Sequence, residues 1–473
     1  MPDPSANSAH AAPRFLVELP RWLFLIALVF APWAYGSTPL WAIACLESLL
    51  GVILAVWLSV NSIRRLKPQV HPVLQTCSLI LLAYGWAMTL NAHFQVDTAD
   101  LFTPVRALIP WAPGTIDRAT SVSAMLRMTC LLGTACFICD LSARRIWRQR
   151  IWRTMAATGV TLVLFGLLQS AFAQPLLVWR REDSTVPYFA TYYYHGNAGS
   201  LINLVLPLVA GRAALTLRTP DSHAGRAFWF PGLFICIAGA FVNVSRSAMS
   251  ITVLMCFVLL LWQFYGEPRN ELLPPRRLRW VYAILMIGIV TCLVAFSGWE
   301  RPAQKWALMR TQLNSANKRL VATRVCLRMF PDAHWHGFGP GTFALVFPHY
   351  TGTQAGLIPG IWRYSHDDYL QAIIEWGWLG GIPLAILFFG AMVTLFLHWR
   401  QRRDFSFSDR VLVFASGLAL VGVAIHSFMD FPLQIASLQL YASVFVGFGW
   451  GCGEWSGIRA GSIRSSDSVP VSQ

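Results

Sequence analysis

The feature that most constrains this chain is a succession of apolar runs, each of about 18 to 22 residues and so long enough to cross a bilayer core as a helix. In lipid every backbone N–H and C=O must find its partner within the protein, so such runs fold as helices. The candidate spans are 20–36, 41–60, 73–91, 122–141, 153–173, 197–217, 228–244, 247–265, 280–297, 369–397, 410–429 and 433–452. The fold class is therefore all-α, a polytopic transmembrane helix bundle of about 12 spans. Of the 473 residues only 12% are charged, which argues against a soluble domain of this size. No small-residue cleavage site follows the first run, Trp22 to Tyr35, so it reads as a retained helix.

A formal charge of +15 could point to nucleic acid, but the basic residues do not form one face. They cluster in alternate connections: Arg64, Arg65 and Lys67; Arg144 to Arg150; Arg212 to Arg226; Arg269 to Arg279; Arg400 to Arg403; and the tail with Arg459 and Arg464. The positive-inside rule makes that side the cytoplasm, with both termini there and no nucleic-acid partner. Three longer connections then fall outside, 92–121, 174–196 and 298–368, the last being a large, partly helical periplasmic loop. The basic residues within it do not contradict this orientation, since long loops translocate largely regardless of charge. From Trp306 to Met329 the pattern predicts an amphipathic helix along the membrane surface, stopped by Pro331, before a tight turn at Gly337-Phe-Gly-Pro-Gly341.

Three places in this scheme can carry chemistry. Arg246, between Ser245 and Ser247, stands at the outer mouth of a span that either serine can cap. It either forms an anion site with that helix N-terminus or snorkels to lipid phosphate. The second is Ser365-His-Asp-Asp-Tyr-Leu-Gln-Ala-Ile-Ile-Glu375, where Ser365 and Asp368 have capping-box spacing and put His366 in the first turn. Asp368, Gln371 and Glu375 share one helical face, either as a substrate-facing stripe or as capping and interhelical hydrogen bonds. The third is His426 with Asp430 at i, i+4, either part of a site or a pair that satisfies itself. His334-Trp-His336 and Cys136-x-x-Cys139 lack the further ligands of a metal centre, so neither a metal nor a cofactor is expected.

With these residues in view, the chain resembles the O-antigen ligase and O-antigen polymerase family of bacterial membrane glycosyltransferases. The likeness rests on Tyr194-His-Gly-Asn-Ala-Gly-Ser-Leu through Pro207, on Val244-Ser-Arg-Ser-Ala-Met, and on Gly337-Phe-Gly-Pro-Gly-Thr-Phe with His366 through Gly380. His426-Ser-Phe-Met-Asp-Phe-Pro-Leu-Gln434 completes it. The match runs over about 190 to 435, while the first five spans match only in hydropathy. The division implied is a cytoplasmic tail 1–19, a first transmembrane bundle 20–190, an O-antigen ligase-like region 191–452 including the periplasmic loop 298–368, and a tail 453–473.

The resemblance implies a multi-pass protein of the bacterial inner membrane. Its donor would be a glycan on undecaprenyl diphosphate, and its acceptor a glycan, lipid A core or protein, among membrane lipids. Transfer would be inverting and independent of metal and nucleotide. It implies catalytic roles for His366 and Arg246, and substrate contacts from Arg324, Asp367, Asp368, Gln371, Glu375, Asn197, His426 and Asp430. Relatives often carry Asn where this chain has Asp367. The residues fit this chemistry on physical grounds. Arg246, Arg324 and helix N-termini can stabilise a leaving diphosphate, and His366, Asp367 or Glu375 can take an acceptor proton. Rival readings are a transporter of lipid-linked glycan and a noncatalytic component of polysaccharide export.

Overall fold

The computed structural model describes residues 14–96, 101–171, 188–218, 222–265, 288, 313–358, 360–401 and 405–455. Helices dominate: α1 (Arg14–Trp33), α2 (Leu40–Ile63), α3 (Pro72–Leu90), α4 (Arg118–Ser142), α5 (Arg145–Ala171), α6 (His195–Leu217), α7 (His223–Val242) and α8 (Arg246–Tyr265) precede the loop. The loop holds α9 (Leu313–Ala333) and α10 (Phe343–Thr351), and α11 (Asp368–Gln401), α12 (Phe407–Ser427) and α13 (Ala436–Gly451) follow it. The only strands among the described residues are Phe94–Val96 and Phe102–Pro104, a short antiparallel pair between α3 and α4.

Nine described helices, α1 to α7 with α11 and α12, are long and apolar enough to cross a membrane. Two further expected spans are shorter. The apolar part of α8 is Arg246–Trp262, and α13 has 16 residues, extended by the 3-10 turn Cys452–Trp455. Nearly every residue of α13 is buried, so other helices rather than lipid surround it. The expected span 280–297 lies outside the described residues, apart from Gly288. One continuous core joins α1 to α8 with α11 to α13, with α4 lying along α13 and α6 lying between α7 and α12.

α11 is a broken helix. Gly377 takes φ +57°, and the two halves meet there at a kink. The carbonyls freed by the break are not left empty, because the loop supplies their donors. Phe338 N–H donates to Ile374 O at 2.9 Å, Gly339 N–H to Glu375 O at 3.0 Å, and Leu379 N–H donates back to Trp335 O at 3.2 Å. That close crossing is why glycine is required. A Cβ on Gly337 would lie 2.4 Å from Glu375 O, and one on Gly377 2.3 Å from Trp335 O. The expected tight turn is present, with positive φ at Gly337, Gly339 and Gly341.

The same turn ties the two connections at this end together. Ser121 on α4 donates to Pro340 O at 2.9 Å, Ile116 N–H to Phe338 O at 3.2 Å, and Tyr84 on α3 to His336 O at 2.5 Å. α9 differs from expectation in two ways. Pro331 lies inside its last turn, and the helix ends at Ala333, before His334 at φ +50°. Its apolar stripe of Ala322, Val325, Cys326 and Met329 is buried in protein against Phe343, Phe347, Ile358 and Ile374 instead of lying on a membrane surface. Each fully buried aliphatic or aromatic side chain there contributes roughly 1.5 to 3 kcal/mol, which holds the loop as a small folded cap. Residues 306–312 of that expected helix lie outside the described residues.

Candidate functional site

The end of the bundle that carries this cap also gathers the residues with chemistry, around the entry to α11. Asp367, not Ser365, caps that helix: its Oδ1 accepts from Tyr369 N–H at 3.0 Å and Leu370 N–H at 3.1 Å. The expected capping box is absent. Ser365 Oγ instead accepts from Asp367 N–H at 3.0 Å and donates to Asp367 O, closing a tight turn. That turn places His366 in the left-handed region, φ +58°, ahead of the helix and not in its first turn. A non-glycine residue held there stores roughly 1 to 3 kcal/mol, a strain common where a side chain must be aimed.

The imidazole is aimed at Asp430, with Nδ1 3.2 Å from Oδ1. The Asp430 side chain is 3% exposed and that of His366 24%, so the carboxylate is buried behind the ring. Asp430 also accepts from the Tyr194 hydroxyl at 2.9 Å and from Phe431 N–H at 3.1 Å. A carboxylate only accepts, so Nδ1 carries a hydrogen, and in the neutral ring Nε2 holds the lone pair. Burial pushes the Asp430 carboxyl up. The His366 hydrogen bond and the neighbouring positive charges outweigh this and hold it below the usual carboxylate range. Burial raises Asp367, against the pull of its two backbone donors, and raises the Tyr194 hydroxyl, keeping it a donor.

Aromatic rings fix the His366 plane. Trp362 and Phe431 meet it edge-on at 5.3 and 4.8 Å, and Phe431 is stacked by Tyr364 and Tyr194 at 4.5 and 5.5 Å. A cation closes the group: exposed Arg319 on α9 donates to Met429 O at 2.7 Å and to Tyr194 Oη at 3.3 Å. Arg324, five residues on, is exposed on α9 and makes no described contact with this cluster.

Arg246 opens α8, half-buried, after Ser245, whose Oγ accepts from Ala248 N–H at 3.4 Å as the helix cap. Beside it, Ser247 Oγ lies 2.9 Å from His426 Nε2, and Ser200 Oγ lies 2.8 Å from His426 Nδ1. His426 is fully buried and pins α6, α8 and α12 together. The side-chain pair between His426 and Asp430 is not formed, since each takes other partners. Asn197 on α6 is buried with its Oδ1 lacking a partner. So is Asn243, whose Nδ2 donates to His195 O at 2.8 Å. Two orphaned buried carbonyl oxygens at one end of the bundle call for an outside donor.

The stripe on α11 resolves as internal bonding. Asp368 accepts from Ser427 Oγ at 3.0 Å, Leu433 N–H at 2.9 Å and Gln434 Nε2 at 3.1 Å. Gln371 donates to Glu375 at 3.0 Å, and Glu375 accepts from Gly341 N–H at 3.0 Å and Phe343 N–H at 3.3 Å, holding the glycine turn and the start of α10. All three also border a cavity of about 1170 Å³ between α4, α10 and α11. Arg127, Arg363, Tyr364, Gln434 and Gln439 line its polar part, and Leu384, Phe388 and Phe389 its apolar part. Tyr364 is the shared wall, lining the cavity and stacking on the Phe431 that touches His366.

Sequence reasoning gave Arg319, Asn243 and Tyr194 no role, took Ser247 only as a cap for α8, and left Ser200 as part of a motif. Tyr194 stood within a quoted motif. Arg319 carried no signal beyond one basic residue on an amphipathic helix.

A comparison with curated proteins finds no match to the chain. A family model described as O-antigen ligase matches residues 231–385, from α7 through the cap into α11, leaving His426 and Asp430 beyond the matched stretch. That stretch, with Arg246, Arg319 and His366 inside it, is similar to the O-antigen ligase family, in a chain whose described residues hold nine helices long and apolar enough to cross a membrane.

Proposed function

We propose that the chain is an inverting glycosyltransferase that transfers or polymerises an oligosaccharide carried on undecaprenyl diphosphate, at the periplasmic face of the bacterial inner membrane. The observation that carries this reading is the His366–Asp430 pair, whose carboxylate shares the Tyr194 hydroxyl with the Arg319 guanidinium. An acceptor hydroxyl attacks the anomeric carbon of the donor while His366 Nε2 takes its proton. The bond from that carbon to the diphosphate oxygen breaks, and the diphosphate leaves with the electron pair. Arg246, Arg319 and the capped start of α8 favour the charge that develops on it. Asp430 balances the imidazolium formed at His366. Asp367 and Glu375 are given structural parts instead, since Asp367 Oδ1 caps α11 and both Glu375 oxygens accept backbone N–H groups. The cavity, apolar along α11 and cationic at Arg127 and Arg363, suits a lipid-linked substrate.

The test is reconstitution in liposomes with undecaprenyl-diphosphate-linked repeat units. A product ladder identifies a polymerase, and a single product that needs an added glycan, lipid A core or protein identifies a ligase. Arg246→Ala should lower either product at least about a hundredfold, the scale of one lost electrostatic donor. Wild-type protein giving no glycosidic product with any acceptor would refute the reading.

A further inference from the structure

The end of the bundle opposite the cap holds a half-buried cation that the transfer chemistry does not use. Arg212, near the end of α6, is enclosed by aromatic rings, its guanidinium carbon 5.2 Å from the Trp152 ring centre on α5 and 5.5 Å from Trp229 on α7. One nitrogen, Nη1, donates to Gln149 Oε1 at 3.1 Å, while Nε is buried with no partner. Among the described residues no carboxylate pairs with it. The charge that acts on it is another cation, exposed Arg153 on α5. The nearby Asp409 is taken by Arg148 at 2.8 Å. Arg153 lies one helical turn beyond Gln149, the α5 residue that Arg212 reaches, so two cations, one with an orphaned donor, share this end of the bundle and call for an anion. By residue count from the helix ends, Arg153, Arg212 and Trp229 all lie about 8 to 12 Å inside the bundle. That is the depth at which headgroups meet acyl chains, where a lipid phosphate is available and aromatic side chains concentrate.

We infer that Arg212 and Arg153 hold the phosphate of an anionic membrane phospholipid between α5 and α7. The orphaned Nε and the exposed Arg153 guanidinium donate to the phosphate oxygens, and Trp152 and Trp229 wall the site. The lipid docks the otherwise repelling helix ends and is not a substrate.

The full-length protein in nanodiscs, analysed by native mass spectrometry while phosphatidylglycerol is exchanged for phosphatidylcholine, tests this. Wild type should retain phosphatidylglycerol selectively. Loss of one arginine should weaken retention about fivefold, the usual contribution of one basic residue at a lipid surface. Arg153→Gln is the safer variant, since its side chain is exposed, and Arg212→Gln is the second. Retention equal in wild type and Arg153→Gln, or no preference for the anionic lipid, would overturn the site. Inorganic phosphate displacing the lipid would keep the phosphate chemistry but overturn its assignment to a lipid.

Discussion

The two ends of α12 each meet a buried carboxylate, and the contrast between them separates scaffold from site. At one end Asp409 accepts from Arg148 Nη2 at 2.8 Å and Nε at 3.2 Å, and from Ser406 Oγ at 2.7 Å. Arg148 in turn donates to Ser142 O and Ala143 O and lies over the Trp455 ring at 4.4 Å. The chain completes that pair internally. Just past the other end, Asp430 is equally buried, but its partner His366 reaches solvent, sits on strained backbone and keeps a lone pair unused. A charge whose partners are all supplied by the protein holds the fold. One whose partner is left open is available for chemistry.

The largest effect should come from breaking the closed pair. Arg148→Ala strands Asp409 without compensation and should cost about 3 to 5 kcal/mol, seen as a fall in melting temperature and in yield of inserted protein. Asp430→Asn keeps the shape but removes the charge that orients His366. It should slow transfer about a hundredfold, roughly 2.7 kcal/mol of barrier, with far less change in melting. An Asp430→Asn protein that melts early yet turns over normally would put Asp430 with the scaffold instead. The smallest effect is its pH dependence. The folded state holds the Asp430 carboxyl below its ordinary range, so its stabilising contribution is complete above about pH 4. It is lost as pH falls through the lower folded value. The melting deficit of Asp430→Asn should therefore be full at neutral pH and shrink in acid.

Much of this was legible in the sequence, because lipid makes hydropathy and backbone satisfaction strict. The described spans, the glycine turn, and the placing of Arg246 and His366 at helix entries all follow from local pattern. What escaped was long-range. The capping box at Ser365 and the pair of His426 with Asp430 are spacing arguments, and both gave way to partners far along the chain. Asp430 found His366 across 64 residues, and His426 found Ser200 across 226. Likewise Pro331 could not show that α9 runs on to Ala333, nor could the stripe on α9 show that protein rather than lipid covers it. The kink at Gly377 was hidden for the same reason, since the donors that satisfy it come from the loop.

The most direct measurement is the transfer rate of His366→Gln in liposomes, with melting measured on the same preparation. If His366 is the base, the rate falls at least about a hundredfold while the melting temperature stays within a few degrees of wild type. A rate within a few-fold of wild type would contradict it and return the proton to another group.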